Sequence, residues 1–483
     1  MKTQFLVHRN RISLIALAFA LGLPLASAKE YTVASRQEFD SAVASVQPGD
    51  VLVFKSGVWR DMKLHLRAQG REGRPVTLRA ETPGSVVFEG SSELKIDGAH
   101  LFVSGLKFQS SSQVTQVVTP YAVTVASVIT FTKEARDCRL TETAVTDSGP
   151  GVTTYVHLEP GSLRNRVDHC WFSNQGNIGV TFYVEVHPTQ PNEHSIDHNY
   201  FGDRKPGTGN RWETIRIGHS DQQTFVSGTT VAYNYFYRCN GENECVSNKS
   251  TGNRYLYNAF VETRGELTLR HGNRAWVEGN YFFAGNDPAC EGVRVIGSDH
   301  VVINNYFKGV RHGIVVYSGE ANPEPKGYSP VDHTLIAFNT LEDCANSFVL
   351  GSSSRPVPPK NLRVAGNLAR VRSGKIIQSQ AAGIGVSYEG NIMFGSDLGI
   401  ENPKGIDRQE PTLRVDEWGR IFPDEAGSRV RVPLAGFPEV AKDIDGEARN
   451  GVTMAGAISK RSARPSYPLS RDEVGPTWNR PRK

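Results

Sequence analysis

The sequence predicts an all-β chain, a right-handed single-stranded parallel β-helix closed at its N-terminal end by a short capping helix. Three observations carry this. An Asn-aromatic-aromatic tripeptide recurs through the middle of the chain. Short β-branched runs bounded by Gly, Ser or Asn fall between its copies, which is the signal of short strands. Glycine is 47 of 483 residues, about 10% against the usual ~7%, as a chain of many turns requires. Charged residues are 22% and hydrophobic residues 38%, too apolar for a disordered chain and too polar for a membrane protein. Only 4 methionines argue against a pliable Met-rich binding surface.

The first 28 residues read as an export signal. Lys2, Arg9 and Arg11 precede an apolar run from Ile12 to Leu25, and Ala26-Ser27-Ala28 is a small-x-small cleavage site. The run is short for a membrane anchor. The mature chain is therefore expected to start at Lys29 and to be periplasmic or secreted, with no membrane attachment. Loss of those three cations leaves 51 basic residues against 50 acidic ones, so the formal +4 falls to +1. No global field remains to bind nucleic acid, and any polyanion must be held by local clusters. Six cysteines without a Cys-x-x-Cys pair make neither a disulfide scaffold nor a zinc site. Both buried thiols and bridges are open to them.

Ser35-Arg36-Gln37-Glu38 is a capping box, and Phe39, Ala42, Val43 and Val46 form one apolar helix face before Pro48-Gly49. Residues 35–47 are the expected cap, since the open end of a repeat array must be covered. Strands are expected at Val51–Phe54, Val76–Arg79, Val86–Phe88 and Leu101–Val103. The repeat then runs through Asn199-Tyr200-Phe201, Asn234-Tyr235-Phe236, Asn258-Ala259-Phe260, Asn280-Tyr281-Phe282 and Asn305-Tyr306-Phe307, with weaker copies at Cys170, Asn339, Asn367 and Asn391. The shortest steps are 22–25 residues. A coil of that length holds two or three short strands and no ordinary helix, and stacks on the next at ~4.8 Å. Leucine-rich repeats share the period but need regular leucines, and propeller repeats are longer. Each Asn is expected to turn inward and bond to backbone and to the next Asn, while the aromatic after it fills the core. The β-helix is assigned to residues 29–400. Residues 401–483, without repeat, are expected to pack on it as an irregular segment.

The densest chemistry is Asn240-Gly241-Glu242-Asn243-Glu244-Cys245-Val246-Ser247-Asn248-Lys249-Ser250. Glu242 and Glu244, two apart, would share a strand face and offer hard oxygen ligands for Ca²⁺. Taken alone, the pair reads more readily as a solvated outer face. Lys249, Arg270, Arg294 and Tyr317 follow at steps of 21, 24 and 23 residues, each close to one coil. With His271 they would descend one face as acids, then cations, then a phenol. Such a face reads as a groove for an acidic, hydroxyl-rich chain. The alternative is a salt-bridged surface of little worth, in which like charges on adjacent strands would repel.

Asn240-Gly241-Glu242-Asn243-Glu244 with Ser247-Asn248-Lys249-Ser250, followed by Leu269-Arg270-His271-Gly272-Asn273, resembles polysaccharide lyase family 6, which includes alginate lyases and chondroitinase B. Pro48-Gly49-Asp50 and Glu213-Thr214-Ile215-Arg216-Ile217-Gly218 are similar to the family as well. The resemblance covers roughly residues 30–400. It implies Ca²⁺-assisted β-elimination of a uronate-containing polysaccharide, with Lys249 as general base, Arg270 as general acid, and Glu242, Glu244 and an Asn one coil earlier as calcium ligands. Asn210 fits that Asn, and Asn234 is its rival, although a ladder role suits Asn234 equally. His271, Arg294 and Tyr317 are implied as substrate-groove residues. The chemistry is consistent with those types: a cation offsets charge on the uronate carboxylate as the C5 proton leaves, and a nearby cation lowers a lysine's pKa toward working pH. Arginine is a reluctant acid, so Arg270 would stabilise the leaving oxygen while Tyr317 or water supplies the proton. Alginate is the expected substrate and dermatan sulfate the second, because the mature charge shows no basic surplus for sulfate. A glycoside hydrolase using Glu242 and Glu244 would leave Lys249 and Arg270 idle. A non-catalytic glycan-binding solenoid would need only the groove. The chain is expected to act as a monomer.

Overall fold

The computed structural model describes residues 27–479 except 325, 425, 427–429 and 463–467. Most of the expected export signal thus lies outside the described residues. Among the described residues no helix is long and apolar enough to cross a membrane.

Three-residue apolar-polar-apolar strands cannot bury both faces alone, so they stack. Successive coils add one strand each to three sheets, which hold 14, 13 and 14 strands among the described residues and are parallel except for Gln116–Val118, which lies antiparallel on Thr124–Phe131. One coil is Val301–Ile303, Tyr306–Lys308 and His312–Val316. The register places like on like: Phe201, Phe236, Phe260, Phe282 and Phe307 are partners in turn, their rings stacked at 4.5–5.1 Å. This is the parallel β-helix that the repeat predicted.

The asparagines form the expected ladder. The side-chain amide of Asn234 donates to the Asn258 Oδ1 at 3.0 Å, Asn258 to Asn280 at 2.9 Å, Asn280 to Asn305 at 2.9 Å and Asn305 to Asn339 at 3.0 Å. Each Oδ1 also accepts the backbone N–H of the preceding Asn. The residue before each ladder Asn is left-handed: His198, Tyr233, Tyr257, Gly279, Asn304, Phe338, Gly366 and Gly390 have φ of 53–69°. That conformation costs a non-glycine residue about 1 kcal/mol, and the buried amide bonds hold it. Cys170 opens the ladder, its N–H bonding to Asn199 at 2.9 Å. All six cysteines are buried free thiols.

The cap is the helix Arg36–Val43, shorter than the expected 35–47 because Ser45 and Val46 turn back to bond the Ala42 carbonyl. Ser35 accepts from the Glu38 N–H at 3.2 Å, and buried Phe39 packs 5.6 Å from the Phe54 ring over the first coil. At the other end the last coil strands are Asn391–Phe394 and Ile406–Asp407. The following segment lays Ile421, Phe422, Ile444 and Ile458 on Tyr281, Tyr306 and Ile392, and Phe437 and Val440 on Ile303 and Phe338. Buried Arg420 bonds Asp445 at 2.9 Å and the Tyr281 hydroxyl at 2.8 Å. Near the C-terminus the chain returns toward earlier coils. Thr477 N–H and Trp478 Nε1 bond Glu142 at 2.7 and 2.8 Å, and Arg471 lies 4.8 Å from the Trp171 ring.

Candidate active site

The site lies on the outer face of the sheet containing Ile215–Ile217, Glu244–Lys249, Glu266–His271, Val293–Val295 and His312–Val316. Ile215, Val246, Leu267 and Val293 face the core in register. Strand alternation then sends Arg216, Ser247, Thr268 and Arg294 outward in one column. The bulge between Asn248 and Lys249 sets Lys249 opposite His271. Lys249, Arg270 and Arg294 do occupy consecutive coils, but Arg294 pairs with Thr268, not with Arg270. The 24-residue step matches a coil count without matching register. Asn248 pins the backbone beside Lys249 from inside: its amide donates to the Ser250 and His271 carbonyls at 2.9 and 2.7 Å, and its Oδ1 accepts from Tyr255 at 2.8 Å.

A cleft of about 660 Å³ is lined by Asn210, Glu242, Glu244, Lys249, Arg270 and Arg294, among others. Glu242 sits on the turn ahead of the strand that Glu244 begins, so the two acids do not share a strand face. With buried Glu213 they still converge, offering oxygens within 4.8 Å of one another. Lys249 Nζ lies 3.6 Å and Arg216 3.7 Å from Glu213 Oε1, and Arg270 Nε lies 3.9 Å from Glu244. Glu213 is 0% exposed, and neither of its carboxylate oxygens accepts a hydrogen bond. Burial opposes its ionisation, but Arg216 and Lys249 hold it below the usual carboxylate range. Burial, and then Glu213 beside it, push Glu242 up to about 8. Three carboxylates this close repel one another unless a proton or a cation lies among them. An all-oxygen set with two orphaned buried acceptors therefore fits a hard divalent cation, and Glu213, Glu242 and Glu244 are the residues suited to hold one.

Asn210 lines the same cleft from an exposed loop, its Oδ1 accepting the Arg211 N–H at 2.7 Å. Asn234 belongs to the ladder and is fully buried. His271 is 1% exposed with neither ring nitrogen bonded, and burial lowers its pKa to about 3. It is a neutral ring beneath the groove wall, where the sequence suggested a groove contact. Arg294 is ion-paired to Glu266 and separates the cleft from a cavity of about 370 Å³ lined by Tyr317, Arg311 and His312.

Sequence reasoning missed Glu213, Arg204 and Tyr328 as site residues. Buried Arg204 bonds the Glu213 carbonyl at 2.8 Å and the Thr181 hydroxyl at 2.6 Å, fixing the approach to Glu213. An acid and a cation within the otherwise apolar Glu213–Ile217 run were the available signal. Tyr328 carries none, since it lies in a Pro-rich insertion.

The family profile described as Chondroitinase B matches residues 33–426. A comparison with curated proteins found no match. The chain is similar to the solved PL6 family alginate lyase AlyGC, at 31% identity and a TM-score of 0.79, over 93% of this chain and 58% of that one. It thus spans less than two thirds of that relative. It is also similar to a mannuronic acid specific polysaccharide family 6 lyase from human gut microbiota, at 30% identity and a TM-score of 0.68, over 79% of this chain and 91% of the other. The PL6 family polysaccharide lyase Pedsa3628 from Pseudopedobacter saltans shares the fold at 22% identity and a TM-score of 0.70. The family match and the 30% identity carried across most of both chains establish that this chain belongs to polysaccharide lyase family 6.

Proposed function

We propose that this chain cleaves a uronate-containing polysaccharide, alginate first, by β-elimination. The observation that carries the reading is a lysine amine 3.6 Å from a buried carboxylate, in a cleft that also presents two more acids and Arg270. Lys249 takes the C5 proton. Arg270, near Glu244 at the cleft edge, faces the charge that develops on the leaving 4-oxygen. Asn248 holds the base in place through its bonds around Ser250 and His271. Glu213, Glu242 and Glu244, with Asn210 at hand, would hold Ca²⁺, which supplies positive charge for the uronate carboxylate. Alginate is favoured by the two relatives at 30% identity or more, an alginate lyase and a mannuronic acid specific lyase. The Chondroitinase B description of the matching family supports dermatan sulfate as the second reading. We also propose export, on the leader-like first 28 residues.

The test is absorbance at 235 nm on polymannuronate, polyguluronate and dermatan sulfate, with and without EDTA. Unsaturated product from an alginate block, lost on chelation and restored by Ca²⁺, is expected. Lys249→Ala is expected to lower kcat by at least about 100-fold with little change in KM. Full activity after thorough chelation removes the calcium assignment, and full activity in Lys249→Ala removes the base.

A further inference from the structure

Away from the cleft, a second cavity forms where the returning C-terminus crosses the coils. It holds about 550 Å³. It lies on the sheet that carries Leu106–Ser111, Ala144–Thr146 and Trp171–Ser173, not on the 13-stranded sheet of the cleft. Lys107, Ala144 and Trp171 are register partners on three consecutive coils. The small Ala144 between two long side chains leaves a hollow two strand spacings, ~9.6 Å, from end to end. Arg471, Val474 and Trp478 of the returning segment close it from outside.

The walls of this cavity are built. Trp171 Nε1 donates to the Ser173 hydroxyl at 2.9 Å, and Tyr200 of the next coil stacks on its ring at 3.6 Å. Ala144, one coil earlier, offers no ring to the opposite face. Trp478 is fixed by its bond to the Glu142 carbonyl at 2.8 Å. Its indole lies against Gly84, which has φ 80° and where a Cβ would strike the ring. Neither Lys107 nor Arg471 has a carboxylate partner among the described residues. Arg471 rests 4.8 Å from the Trp171 ring and 5.0 Å from the Tyr200 ring. Asp147 is the one acid of the lining, and its carboxylate accepts the Asn174 amide at 2.8 Å. Two indoles, with two unpaired cations against one acid, suit a ligand that has apolar ring faces and negative charge.

Taking the uronate polymer of the lyase reading above as that ligand, on which the choice of ligand rests, we propose that this cavity is a second, non-catalytic binding site for the acidic polysaccharide. A uronate ring lies against Trp171 and Trp478, with its carboxylate toward Lys107 and Arg471. No bond is made or broken there. A polymer held here and in the cleft leaves less readily than one held in the cleft alone, because its second contact is intramolecular. A short oligosaccharide cannot reach across two faces of the coil and gains nothing from the second site.

The test compares the native cavity with a Lys107→Gln, Arg471→Gln double variant and with Trp478→Ala. In a Lys249→Ala background, which spares the polymer, each is run in native gels containing alginate or dextran, and its mobility is taken relative to a polymer-free gel. The native cavity is expected to be retarded by alginate and not by dextran, and both variants much less so. With Lys249 intact, absorbance at 235 nm is followed on alginate and on a mannuronate tetramer. KM on the polymer is expected to rise about 10-fold or more in both variants with kcat unchanged, while both constants on the tetramer stay within about 2-fold. The double variant keeps the apolar wall, so it decides the matter where Trp478→Ala unseats the segment. Unchanged retardation and polymer KM in the double variant, equal retardation by dextran, or equal losses on tetramer and polymer overturns the site and leaves the lyase reading intact. Absence of unsaturated product from wild type on every uronate polymer overturns the lyase reading alone, and the gels still decide the site.

Discussion

Glu213 links Lys249, the other two acids and the buried support of the cleft in one residue. It is fully buried, 3.6 Å from Lys249 and 3.7 Å from Arg216, and it pushes Glu242 upward by proximity. Glu213→Gln keeps the shape and removes the charge. It is expected to weaken Ca²⁺ binding by more than the about 10-fold that loss of an outer-shell partner costs, read by calorimetric titration of the free protein; unchanged affinity excludes Glu213 from the ligand set. Lys249, Glu242, Glu244 and Arg270 were legible because they lie on one strand and its approach or one coil apart, and the repeat period converts sequence distance into spatial distance. Glu213 and Tyr328 were not, because they reach the cleft from a turn after an irregular loop and from an insertion, where no period applies. His271 was legible as a neighbour of the cleft, but Leu267 and Leu269 face the core, so strand alternation turns Arg270 outward and His271 inward.

Within the coils, the asparagine ladder and the phenylalanine stack are the elements that set register. Asn280 donates to Asn305 Oδ1 and the Tyr255 carbonyl, both at 2.9 Å, and accepts from the N–H and amide of Asn258 at 3.0 and 2.9 Å. Asn280→Ala strands buried donors and acceptors above and below, and is expected to cost about 3 kcal/mol or more. Denaturant unfolding measures it, and a loss under 1 kcal/mol would show that the ladder is ornamental to stability. Phe260→Ala, between rings 4.5 and 4.7 Å away, is expected to cost about 3–5 kcal/mol. Both elements were readable from the tripeptide alone, because stacking identical residues at one strand spacing satisfies each with its own kind. The capping helix was readable for the same local reasons, but its end was not. Residues 45 and 46 are helical in pattern, yet the Ser45 N–H closes a tighter, three-residue turn onto the Ala42 carbonyl, and Val46 shares that acceptor.

At the scale of the molecule, buried histidines couple stability to pH. His194 Nδ1 accepts the Asn165 N–H at 3.1 Å, and His300 Nδ1 accepts the Ala275 N–H at 3.1 Å. Burial lowers their pKa values to about 3 and about 4. The unfolded chain protonates each near 6.5, so their contribution is complete above that pH and is lost as pH falls toward the folded values. At pH 5 the loss is about 2 kcal/mol each. Burial shifts Glu242 and Glu266 the opposite way, to about 8 and about 7, so total stability mixes two signs. The decisive measure is the difference in melting temperature between wild type and a His194→Gln, His300→Gln double variant, which should narrow from pH 7.5 to pH 5; a constant gap would refute the coupling.

The returning C-terminus has a mechanical consequence. Thr477 and Trp478 grip Glu142, well behind the last coil strand, Ile406–Asp407. A tether pulling on the C-terminus loads those side-chain contacts before it loads any coil. Their rupture would be one early, weak event, and the packed contacts of Ile421, Phe437 and Ile458 with the coils would give way after it. The coils would then unzip singly from that end, each of 22–35 residues lengthening the chain by ~8–12 nm, so an optical trap should record a clasp opening and then a saw-tooth.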